Sequence, residues 1–115
     1  MPVIPFARIA ALSTVLFSVI SQADCNRPTS PVLPDGSQAT KEEMIKGQKA
    51  VKTYMAGTNQ YLECLNKQEQ ENAETDTDEI KASRVQAYNA AVADMEQIAA
   101  SFNGEIKRWK AQSDK

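Results

Sequence analysis

The chain contains no histidine, and its 115 residues hold only two cysteines, four glycines and 6% aromatic side chains. Lack of histidine removes the commonest general base and the commonest metal ligand, so Ser83, Ser101 and Ser113 have no imidazole to activate them. Nor is there an excess of basic residues: Lys and Arg number 13 against 15 Asp and Glu, a net charge of −2. Nucleic-acid binders carry a dense basic face, so no nucleic-acid partner is expected. No nucleotide, metal or catalytic signature stands out. Asp76 and Asp78 are spaced like part of a calcium loop, but the glycine and closing glutamate of such a loop are missing. Glu63 and Glu105 could meet across paired helices, yet such a pair offers no deep, dry pocket to shift their acidity. The expectation is a protein with no cofactor, no metal and no enzymatic chemistry.

Long apolar runs are scarce as well. The one present, Ile9 to Ile20, follows Arg8 and precedes Ser21-Gln22-Ala23, which places small residues where a signal peptidase reads them. That is the anatomy of a secretory signal peptide over residues 1–23, and the run is too short for a comfortable membrane span. Asp24 stands before Cys25 where a lipidation site needs a small neutral residue, so the expectation is cleavage near Ala23 and a periplasmic or secreted product. Its net charge would be one unit more negative, because Arg8 is lost.

What the remainder does have is helical periodicity. Met44, Gly47, Val51, Tyr54, Thr58, Tyr61 and Leu65 step by three and four, and so do Tyr88, Val92, Met95, Ala99, Phe102, Ile106 and Trp109. Two stripes of matching period predict two helices folded against each other along their length. Thr40-Lys41-Glu42-Glu43 has the form of a capping box and starts the first helix. The acid-rich stretch holding Glu69, Glu71, Glu74, Asp76, Asp78 and Glu79 reads as a solvated turn whose last acids favour the start of the second helix. Expected boundaries are helix 1 at about 40–70, the turn at about 71–77 and helix 2 at about 78–110. Gly47 lies on the stripe, where close helix approach would explain it; Gly57 has no evident reason. The fold class is all-α, an antiparallel two-helix hairpin resembling a coiled coil. A chain so short and slim buries little core, and dimerisation into a four-helix bundle is a natural remedy.

Residues 24–39 form a Pro-rich arm. Pro28, Pro31 and Pro34 favour extended chain, Asp35-Gly36 a sharp reversal, and Val32 and Leu33 are positioned to cover the groove between the helices. Cys25 at its far end and Cys64 in helix 1 are a pair that export would oxidise. Cys64 lies about 36 Å along the helix from Thr40 at ~1.5 Å per residue. The arm can fold back about 46 Å at ~3.1 Å per residue. A Cys25–Cys64 bridge is therefore within reach; an intermolecular bridge is the competing arrangement.

The candidate partner or ligand surface comprises Tyr54, Tyr61, Tyr88, Asn89, Phe102, Asn103 and Trp109. Aromatic residues at helical spacing usually pack, and Asn89 and Asn103 beside the stripe would fix register by bonding to Gln48, Asn59 or the tyrosines. Met55, Leu62 and Ile98 are expected as exposed edges of the stripes. Phe102 to Lys115 also has the make-up of a weak membrane-surface helix, although Lys107, Arg108 and Lys110 are accounted for as complements of the helix dipole.

The order of these features resembles a group of small uncharacterised exported proteins of proteobacteria. The likeness rests on Cys25, the Pro-rich arm, Asp35-Gly36 with Ala39-Thr40, Glu43-Met44, Val51-Lys52, Tyr61-Leu62-Glu63-Cys64-Leu65, Tyr88-Asn89-Ala90-Ala91-Val92 and Phe102-Asn103. It implies export and a helical hairpin with paired cysteines, and no mechanism. The functional expectation is a non-enzymatic interaction or envelope-associated structural module with a protein partner or a second copy. The alternative is a binder of a small apolar or lipid-like ligand between the helices.

Overall fold

A computed structural model describes residues 25–114. The expected signal peptide lies outside the described residues. The chain is all-helical: α1 spans Lys41–Glu71 and α2 spans Asp78–Ser113, packed against each other with no strand among the described residues. At ~1.5 Å per residue the helices are about 46 and 54 Å long.

Local chemistry sets the helix ends. Thr40 Oγ1 accepts from the Glu43 amide at 3.2 Å, and the Glu43 carboxylate accepts from the Thr40 amide at 3.2 Å, completing the capping box. At the hairpin turn the Asn72 carbonyl accepts from the amides of Thr75 and Asp76. Thr77 then caps α2 by accepting from the Ile80 amide at 3.2 Å. Asp78 and Glu79 follow in the first turn, where the helix dipole favours carboxylates. The expected end of helix 2 near Lys110 is corrected to Ser113. Gln112 accounts for the extension, because its side-chain amide donates to the carbonyls of Gly36 at 3.0 Å and Ala39 at 2.9 Å.

The stripe on α1 forms the buried side: Met44, Gly47, Tyr54, Thr58, Tyr61 and Leu65 are all buried, and Leu62 with them. Thr58 satisfies its hydroxyl by donating to the Tyr54 carbonyl at 2.9 Å. On α2 only Ala91 and Phe102 are fully buried, and the rest of the expected stripe is half-buried. Ala91 is 0% exposed, on a line parallel to the stripe that the seven-residue spacing did not single out. Its small side chain allows close approach to Tyr61, Leu62 and Leu65. Two apolar clusters result. Tyr61, Leu62, Leu65 and Ala91 gather toward the turn with Cys25 and Tyr88, while Ala39, Met44 and Phe102 gather at the open end with Leu33 and Trp109.

The arm is a strap that joins both clusters. Cys25 and Cys64 form a disulfide with Cα atoms 5.6 Å apart. From there the chain runs antiparallel to α1, with Pro28 beside Gly57 and Pro34 beside Gly47. A Cβ on Gly47 would lie 2.7 Å from Pro34 Cδ, whereas one on Gly57 would meet Pro28 Cγ at 3.4 Å. The reason for Gly47 is thus the strap more than the facing helix, whose nearest atom, Phe102 Cε2, is 3.4 Å from that Cβ. Pro28 to Pro34 spans about 19 Å at ~3.1 Å per residue. Gly57 to Gly47 spans about 15 Å at ~1.5 Å per residue, so the strap reaches between the two notches without being drawn taut. The expectation for the arm's two apolar side chains is corrected in part: Leu33 packs inward, but Val32 points away from the groove and is 93% exposed.

Candidate functional site

The strap covers one side of the groove between α1 and α2. Its contacts on α2 are polar: Arg27 pairs with Asp94 and reaches the Ala90 carbonyl, and the Gly36 amide donates to Glu105 Oε2 at 2.7 Å. Around Gly36 the Ser37 hydroxyl donates to Asp35 Oδ1 at 2.6 Å and the Ser37 amide at 3.0 Å. These two bonds, the hydroxyl's foremost, hold the Asp35 carboxyl below the ordinary aspartate value. Gly36 packs so tightly on α2 that a Cβ there would fall 1.9 Å from the Glu105 carbonyl oxygen.

The opposite side of the groove has no strap. Toward the turn lies a shallow hollow of about 290 Å³ lined by Leu65, Asn66, Glu69, Arg84, Val85 and Tyr88. Toward the open end lies a second, of about 220 Å³, lined by residues including Lys41, Met44, Ile45, Ile106 and Trp109. Between them, helical spacing puts Val85, Val92, Ala99 and Ile106 on one line of α2. Ile45 is 42% exposed and Val85 56%.

Several expectations about site residues change on this geometry. Tyr54, Tyr61 and Phe102 are buried in the core and present nothing to a partner. Leu62, expected as an exposed edge, is also buried, while Met55 and Ile98 are half-buried. Tyr88 and Trp109 are half-buried and line the two hollows of the uncovered side. Asn89 and Asn103 are exposed, so they do not set register from within the stripe. Glu63 and Glu105 do not meet: Glu63 neighbours the cluster at the turn, and Glu105 serves the strap at the other end.

Arg84 was not singled out by sequence reasoning. Its side chain, 10% exposed, donates to Asp76 and to Glu69, tying α1, the turn and α2 together. Hydrogen bonds to Asp76 and then Glu69 raise the guanidinium's already high pKa. The acid-rich turn is therefore only partly a solvated one. Arg84 stands seven residues before Ala91, on the line beside the stripe that the spacing did not single out, so the sequence offered no signal for it.

Among the described residues no group of three or more Cys, Asp or Glu side chains is placed to hold a metal ion, and no helix is long and apolar enough to cross a membrane. No buried side-chain polar atom there lacks a partner. Set against known protein families, curated proteins and solved structures, the chain matches none of them.

Proposed function

We propose that this chain is an exported, non-enzymatic interaction module that docks through the uncovered side of its hairpin. One observation carries the reading: the groove has two sides, and the strap lies along only one of them. A disulfide, an ion pair and prolines packed against glycines hold the strap to one side, where Val32 and Ile80 remain exposed, while Ile45 and Val85 stay exposed on the other with no segment over them. Solvent-exposed apolar side chains beside shallow hollows suit a helical partner face better than a small molecule, which needs enclosure. Export is supported by the leader-like residues 1–23 and by a disulfide that an oxidising compartment would maintain. A non-enzymatic role is supported by the absence of histidine and by the structural engagement of Glu105, Asp76 and Glu69.

Photo-crosslinking residues placed at Ile45 and Val85 in the exported protein test this reading. Discrete covalent adducts are expected from both, and none from Thr29 on the outer face of the strap. Adducts from Thr29 alone, or a bound small molecule released on denaturation of the native protein, would overturn it.

A further inference from the structure

We infer that the occupant of the uncovered side is a second copy of this chain, docked antiparallel about a two-fold axis perpendicular to the helices. The inference rests on the uncovered side being a docking surface, and adds which partner fills it and in which direction. Charge is its first support. The open end carries Lys41, Lys46, Lys49 and Lys52 on α1 with Lys107, Arg108 and Lys110 on α2. Acids are fewer there, namely Asp35, Glu42, Glu43, Glu105 and Asp114, of which Glu43 completes the cap of α1 and Glu105 receives Gly36. The turn end carries six acids, Glu69, Glu71, Glu74, Asp76, Asp78 and Glu79, against three bases, Lys67, Lys81 and Arg84. The molecule is thus a rod with a basic end and an acidic end. Parallel pairing sets like charge against like; antiparallel pairing sets each end against its complement.

Shape agrees with charge. Ile45 projects beside the hollow at the open end, whose rim holds Lys41, and Val85 beside the hollow at the turn end, whose rim holds Glu69 paired with Arg84. A two-fold axis across the middle of the hairpin carries the Ile45 end of one copy onto the Val85 end of the other. Each exposed apolar side chain then meets the other copy's hollow, and the arrangement closes on itself without further growth. The area suffices too. A face two helices wide and about 45 Å long offers roughly 900 Å² per copy, from helix diameters of ~10 Å. Twice that falls within the span of stable specific interfaces, ~1,200–2,000 Å².

Sedimentation of the oxidised protein, joined to zero-length carbodiimide crosslinking, tests the proposal. Lys41 and Glu71 are at opposite ends of α1, about 45 Å apart at ~1.5 Å per residue, so a link between them can form only between copies. A dimer is expected, with peptides joining Lys41 to Glu71 or Glu74. Its dissociation constant should rise at least about tenfold as salt goes from ~0.05 to ~0.5 M. Ile45→Glu and Val85→Glu should each yield monomers with unchanged helical circular dichroism. A monomer at every concentration, a dimer linked only between like ends, or dimers persisting in both variants would overturn it. Adducts to some other protein from Ile45 and Val85, with a monomer in isolation, would refute self-pairing and leave the docking role standing.

Discussion

At the level of single residues, three glycines do different work that helix propensity does not distinguish. Gly36 allows the strap to lie against the backbone of α2, with no positive φ involved. Gly36→Ala should lower stability by about 2 kcal/mol or more, because the opposing atom is a fixed helix carbonyl. Gly47→Ala should lose about 1–3 kcal/mol, since Pro34 must lift from its notch. Gly57→Ala meets ordinary contact and should gain about 0.5–1 kcal/mol from helix propensity. Chemical denaturation of the three variants reads the order directly, and a stabilising Gly47→Ala would remove Pro34 from that notch. Sequence made Gly47 legible as a close approach but not as the strap's; Gly57 was opaque, because its neighbour is Pro28, distant in the chain. Arg84 adds a second residue-level prediction. Arg84→Ala should lower the melting temperature clearly more than Lys67→Ala, which removes only an exposed pair with Glu71. Equal effects would mean that Arg84 does not anchor the turn.

At the level of elements, the helices were readable and the strap's details were not. The stepping of Met44 to Leu65 and of Tyr88 to Trp109 reports helix pairing because a side chain on the seam recurs every three or four residues. The capping box at Thr40 was equally local and equally visible. What periodicity cannot report is which side of a paired groove a third segment covers. Tyr54, Tyr61 and Phe102, legible as packing residues and kept as a candidate surface, are core, while Val32, Val85, Ile80 and Ile45 carry the exposure. The end of α2 was missed for a related reason, since Gln112 is held by carbonyls of the strap rather than by a local stop signal. The strap's covalent anchor closes a loop of about 40 residues, and limiting the unfolded chain this way stabilises by about 3–4 kcal/mol. Cys64→Ser in the oxidised protein should lower the melting temperature accordingly while both helices persist by circular dichroism. An unchanged melting temperature would deny the strap its anchoring role.

At the level of the whole molecule, one strapped side, one open side and a charge gradient from end to end belong together. Each follows from where the chain places its scarce features: cysteines at the strap's root and toward the turn end of α1, prolines every third residue, and acids gathered at the turn. The most direct test is carbene footprinting of dilute, monomeric protein in its oxidised and reduced forms. In the oxidised form label should fall on Ile45 and Val85 and spare Leu33, Tyr54 and Tyr61; reduction should open those three to label while Ile45 and Val85 stay unchanged. Equal labelling of Leu33, Tyr54 and Tyr61 in both forms, or shielding of Ile45 and Val85 in the oxidised monomer, would contradict the division into a strapped side and a free one.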